Sequence, residues 1–362
     1  MSYIDAQMVE DIAIGAAFLG TGGGGDPYVG KLMALQAIKK HGPVKLLDVE
    51  EVPDDAQIVP AAMMGAPTVL VEKIPSGEEV FRAFNILKDY LGTEIYATIP
   101  IEAGGVNSMI PIAVAATQGL PLINADGMGR AFPELQMVTY HINGISATPM
   151  VVADEKGNTM LLKTVDNFWT ENLARNATVV MGGSVMIAIY PMTGKDIKKA
   201  GIRNIVTYSA EIGKAIRMAR QNDQNPVAAL IGVTGGYPLF KGKVGDVMRR
   251  TTGGFVRGQA HIEGIDDYRG SKMELHFQNE NLLAKRDEQI VATVPDLICT
   301  VDAETAIPIT TEGLRYGQRV VVVGIPCNEK WRTPKGIETV GPRYFGYDLD
   351  YIPVEARIKE GC

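Results

Sequence analysis

The chain has 362 residues, 46% of them apolar and 21% charged, with a net charge of −7 and a pI near 5.3. That length exceeds what one hydrophobic core usually fills, and the composition is that of a globular protein. No stripe of Lys and Arg marks a surface for nucleic acid or an anionic membrane, and no window of about 18 uninterrupted apolar residues exists to span a bilayer. No basic leader precedes Asp5, Glu10 and Asp11, and Cys299, Cys327 and Cys362 are too scattered for a disulfide frame or zinc site. A cytoplasmic protein with reduced thiols is expected.

Ile12, Ile14, Ala17, Phe18 and Leu19 recur at roughly helical spacing, and a second helix is predicted from Asp26-Pro27 to about Lys40. Asp26 suits an N-cap and Pro27 the first helical position. Between them lies Thr21-Gly22-Gly23-Gly24-Gly25, costly in backbone entropy unless backbone must approach something closely. The spacing predicts a turn whose amides face a carbonyl oxygen or an anion. It follows a helix and lacks the Lys-Ser/Thr of a phosphate loop, so neither nucleotide fingerprint applies.

Strands are predicted at Val44–Val49, Ile58–Met64, Glu94–Pro100 and Pro121–Asn124, and helices at Gly77–Leu91, Asn107–Gln118 and Arg130–Tyr140. This alternation predicts a layered α/β domain over residues 1–225, with ligands beyond the carboxyl ends of its strands. Three of those ends carry unusual chemistry: Met64-Gly65-Ala66-Pro67, Ile101-Glu102-Ala103-Gly104-Gly105-Val106-Asn107 and Asn124-Ala125-Asp126-Gly127-Met128-Gly129-Arg130. Glu102 is placed as an acid/base or metal ligand, or else caps the following helix. Asp126, Arg130 and Glu134, spaced by four, gather at the mouth of the sheet or form a salt-bridge ladder.

Strands are expected at Ser146–Ala153, Thr159–Lys163 and Ser184–Pro191, and helices at Asp166–Asn176, Thr193–Ala200 and Asn204–Gln221. From Pro226 the character changes to short β-type runs, Met273–Phe277, Gln289–Val294, Leu297–Val301 and Gln318–Val323, split by glycines and aspartates. A smaller all-β sandwich or barrel is predicted over 226–330, with a tail, 331–362, packing back on the first domain. The apolar run Arg319–Val323 offers an edge for a homo-oligomer.

No histidine pairs with another at metal-binding spacing; His141, just past the predicted Arg130–Tyr140 helix, is the best placed of four. A divalent metal shared by Glu102, Asp126 and one distant histidine stays open.

Several blocks stand out together: Leu19 to Pro27, Asn124 to Glu134, Phe240-Lys241-Gly242-Lys243-Val244-Gly245-Asp246-Val247, Phe277-Gln278-Asn279-Glu280 and Val294-Pro295-Asp296-Leu297-Ile298. In this order they resemble the S-methyl-thiohydantoin desulfurase-like family across nearly the full chain. The resemblance implies an N-terminal α/β and a C-terminal β domain, and a hydrolase acting on a hydantoin or S-methyl-thiohydantoin ring with water as nucleophile. Such chemistry needs an activated water, a charge stabiliser and anchors for the ring. Asp126 or Glu102 is assigned to the water and Arg130 to the charge. The Gly22, Gly23, Gly24 and Gly25 amides, Asn107, Asn124, Glu134 and His141 are assigned to binding a small-molecule substrate. A non-catalytic module beside a hydantoinase or oxoprolinase is the alternative.

Overall fold

A computed structural model describes residues 2–66, 69 and 77–360; Pro67 and Cys362 lie outside the described residues. The Ala6–Leu19 helix is capped by Asp5, whose carboxylate accepts from Met8 N, and it packs along the Ile205–Gln221 helix. The approach is close at two glycines that face each other's helix backbone, Gly15 against Ser209 and Gly213 against Asp11. The Pro27–His41 helix starts as expected, with the Asp26 carboxylate accepting from Tyr28 N at 2.8 Å.

The N-terminal strands do not form one open parallel sheet. Ser2–Ile4, Val44–Leu47 and Leu122–Ile123 make a mixed three-stranded sheet, and Ala61–Gly65, Ser184–Ala188, Met150–Ala153 and Thr159–Leu162 an antiparallel four-stranded one. Two short pairs complete the set, Gln57–Ile58 with Met192–Thr193 and Ala125–Asp126 with Ile202–Arg203. Glu94–Pro100, expected as a strand, contributes only bridges at Ala97 and Thr98. Strand-length alternation cannot reveal whether neighbouring runs share one sheet or several.

Residues 130–138 are not helical; a single turn, Thr139–Ile142, is all that forms. Pro133 interrupts the stretch, and its backbone groups bond to distant partners. Arg130 O accepts from Ala103 N, Phe132 N donates to Glu102 and Leu135 N to Glu171. Asp126, Arg130 and Glu134 therefore never share a helical face.

Pro226, expected to open the β region, opens a helix instead, Pro226–Thr234, where Asn225 caps Ala228 N at 3.0 Å. Beyond it a seven-stranded antiparallel sheet runs from Gln289–Thr293 through Glu280–Arg286, Lys272–Gln278, Phe255–Gly264, Tyr237–Thr252 and Arg319–Ile325 to Leu297–Asp302. The sheet curls until Leu297–Asp302 packs against Glu280–Arg286 and Gln289–Thr293, closing over a core that includes Phe240, Leu275, Phe277 and Ile298. Its long central hairpin turns at Gly253-Gly254, both at positive φ. Arg319–Ile325 is hydrogen-bonded on both sides, so the edge expected at Arg319–Val323 is not an edge. The Thr333-capped Pro334–Val340 helix packs against the Thr139–Ile142 turn. Among the described residues no helix is long and apolar enough to cross a membrane.

Candidate active site

Gly20 ends the first helix, and the chain then takes positive φ at Thr21, Gly22, Gly24 and Gly25, a sequence of conformations open to few residues but glycine. The loop is fixed by its carbonyls. Thr21 O accepts from Asn281 N, Gly22 O from Thr311 N and Gly24 O from Val106 N, at 2.8, 2.7 and 2.9 Å. Among the described residues no protein acceptor takes the amides of Gly22, Gly24 or Gly25. Two of these carbonyl bonds come from the C-terminal sheet region and one from the Glu102 loop, so the tetrad lies where those parts meet.

A cavity of about 60 Å³, room for a few waters, opens beside the loop. Gly24, Glu102, Asn107, Glu134, Arg175, Asn279 and Glu280 bring polar groups to it, and Met63, Met64, Ile101, Met128, Phe132 and Ile187 give it apolar walls. Gly24 backs directly on Gly104: a Cβ on Gly24 would stand 2.5 Å from Gly104 Cα.

Glu102 is 4% exposed. Its Oε1 accepts from Asn107 Nδ2 at 2.7 Å and its Oε2 from Phe132 N at 3.3 Å. Burial pushes the carboxyl up to about 7, against those two bonds and the Arg130 charge, which hold it down. Asn107 is itself locked to the Ala61–Gly65 strand, accepting from Met63 N at 2.7 Å and donating to Met63 O at 3.2 Å.

Glu280 faces the same cavity and was given no role from sequence. It is 3% exposed, and its Oε2 has no hydrogen-bond partner. Burial, then the neighbouring Glu102 charge, drive its carboxyl well above the usual carboxylate range, with Arg130 opposing. Its position in the Phe277-to-Glu280 block was the available signal. What sequence could not show is that Asn279, at φ 56°, turns the chain so that Glu280 enters the cavity from the C-terminal sheet.

The other expected residues fall into two groups. Glu134 lines the cavity, its Oε2 accepting from Tyr344 Oη at 2.8 Å and from Gln136. Asp126 is fully buried but lies outside the cavity lining. Its carboxylate accepts from Gly129 N at 2.9 and 3.0 Å and from Met128 N at 3.3 Å, closing the turn that follows it. Arg130 is fully buried, with Nη1 donating to Pro295 O and Asp296 O, Nη2 to Thr21 Oγ1 and Asn281 O, and the guanidinium 4.4 Å from the Phe132 ring. Asn124 bonds to Thr207 on the Ile205–Gln221 helix, and His141 Nδ1 to Asn167 Nδ2 at 3.0 Å; both lie away from the cavity. Among the described residues no three or more His, Cys, Asp and Glu side chains are grouped to hold a metal ion.

Residues 7–164 match the S-Me-THD-like N-terminal domain and residues 165–354 the S-Me-THD-like C-terminal domain. The chain belongs to the S-Me-THD-like family. No curated protein matches it. A crystal structure of a protein from Chromobacterium violaceum is similar over 98% of this chain and 100% of that one, with a TM-score of 0.80 at 22% identity. At that identity the likeness is one of fold, and it extends over both parts of the family unit.

Proposed function

We propose that this S-Me-THD-like chain is a hydrolase of an S-methyl-thiohydantoin-type ring, with Glu102 and Glu280 as its acid/base pair. The observation that carries the reading is a single cavity flanked by two buried carboxyls, both displaced upward, one with an oxygen left without a partner. Glu102, near 7, is poised to take a proton from water at neutral pH. Glu280, raised by burial and by the Glu102 charge, is the proton donor in this reading.

In this reading the water oxygen bonds to the ring carbon that bears sulfur while Glu102 takes the water proton. The carbon–sulfur bond then breaks, and the sulfur leaves as methanethiol with the proton from Glu280. The ring becomes the oxygen analogue, and a proton returning from Glu102 to Glu280 resets the pair. The Gly24 amide, on the cavity wall, supplies a donor for the ring carbonyl or the developing negative charge. The apolar walls exclude bulk water and suit the S-methyl group. Asp126 and Arg130 support this arrangement by holding the turn and the loop, without touching the substrate.

A panel of S-methyl-thiohydantoins and hydantoins, assayed for released thiol and for ring product, tests the reading. Turnover by the wild type and its loss in both Glu102→Gln and Glu280→Gln is expected. Thermal stabilisation by the panel without any product would instead make the chain a binding module.

A further inference from the structure

The Asn167–Val180 helix presents two unlike faces. Ala174, Arg175 and Thr178 point inward, with Arg175 reaching the cavity wall and paired to Glu171 at 2.7 Å. The opposite face carries Phe168, Trp169, Asn172, Leu173, Asn176, Val179 and Val180, all exposed, with Val165 just before it. Trp169 is 53% exposed, and Val165 and Val180 are each 87% exposed. From Phe168 to Val180 this face carries no charged side chain, Asp166 at the N-cap being exposed at its rim, although 21% of the chain is charged.

We infer that this face is where two copies of the chain meet in solution. From ordinary side-chain sizes, its six large apolar residues expose roughly 600 Å², at the upper end of the largest apolar patch on a typical monomer and approaching the about 800 Å² per partner of a standard interface. Electrostatics selects the occupant. A chain of net charge −7 repels a copy of itself wherever charged surfaces meet, but an uncharged stripe can lie against its own image without that penalty. The spacing of Val165, Trp169, Leu173 and Val180 by four, four and seven residues keeps them on one helical stripe, which lets two such helices pack antiparallel about a two-fold axis.

The test is the solution mass of the full chain at micromolar concentration, by sedimentation velocity and light scattering. The wild type is expected at twice its 39.0 kDa. A Trp169→Glu, Leu173→Glu double variant is expected at the single mass with an unchanged circular dichroism spectrum. Tyr316→Glu, exposed on another surface, should remain double. A monomeric wild type, or a double variant that still dimerises, overturns the inference; the first result would leave the face for a different protein.

Discussion

A Cβ built on Gly23 would stand 2.0 Å from Glu280 Oε1 and 2.4 Å from its Cδ, so the glycine loop and this carboxyl occupy complementary space. The absent side chain at position 23 is what lets the carboxyl reach the cavity. Gly23→Ala must therefore displace Glu280, at an overpacking cost of about 1–3 kcal/mol. Turnover should fall by roughly two orders of magnitude, as expected for loss of a positioned acid. A folded variant with wild-type kcat would break the link between loop and acid.

The pH–rate profile should rise through about 7 as Glu102 loses its proton and becomes able to accept one from water. Glu280, raised by burial and by the Glu102 charge, should give the profile a falling limb where it ionises. In Glu280→Gln the falling limb should vanish while the rising one stays. A rate that is flat between pH 5 and 8 would rule out Glu102 as the base.

The same shift predicts a stability slope. Folded Glu102 holds its proton more tightly than in the unfolded chain, so it stabilises the fold below its ordinary value of 4.5. That contribution is lost as pH climbs from there to about 7. The full span is on the order of 3 kcal/mol. Chemical denaturation should therefore show wild-type stability falling across this window, and Glu102→Gln should show a shallower fall. Equal slopes would mean that the carboxyl is not desolvated.

Asp126 and Glu102 should separate cleanly in mutagenesis. Asp126→Asn keeps an acceptor for Gly129 N and Met128 N, so turnover should stay within about tenfold of wild type, while Glu102→Gln should lose at least two orders of magnitude, the scale of a general base. Steady-state rates of both purified variants decide this; the reverse ranking would move the base to Asp126.

Arg130 should behave as a structural residue. Its donors hold carbonyls at Ala131, Asn281, Pro295 and Asp296 as well as Thr21 Oγ1. Arg130→Met should cost several kcal/mol, because buried carbonyls lose their donors. Measured by urea unfolding, a loss below about 1 kcal/mol would show that these bonds are not holding the two parts together.

The Asp26 cap with Pro27 behind it and the Thr193–Ala200 helix were legible because each depends on contacts within a few residues. The Arg130–Tyr140 helix was misread because its apolar spacing suited a helix, while its backbone groups find their partners at Glu102, Ala103 and Glu171, 27 to 36 residues away. The Pro226–Thr234 helix was misread in the opposite direction, its short apolar run being equally suited to a strand.

By itself the sequence determined the two-part character of the chain and the glycine turn between two helices, and it offered Glu102 and Asp126 as alternative carboxyls. Those follow from local backbone preference and composition. Only the tertiary structure decided which second carboxyl faces Glu102. Asp126 and Arg130 are close to it in sequence, but their polar atoms are bonded to a turn and to backbone carbonyls. Glu280, 178 positions further on, is carried into the cavity by a strand of the C-terminal sheet. The displacement of both carboxyls comes mainly from burial, a property of the folded chain that no spacing along the sequence encodes.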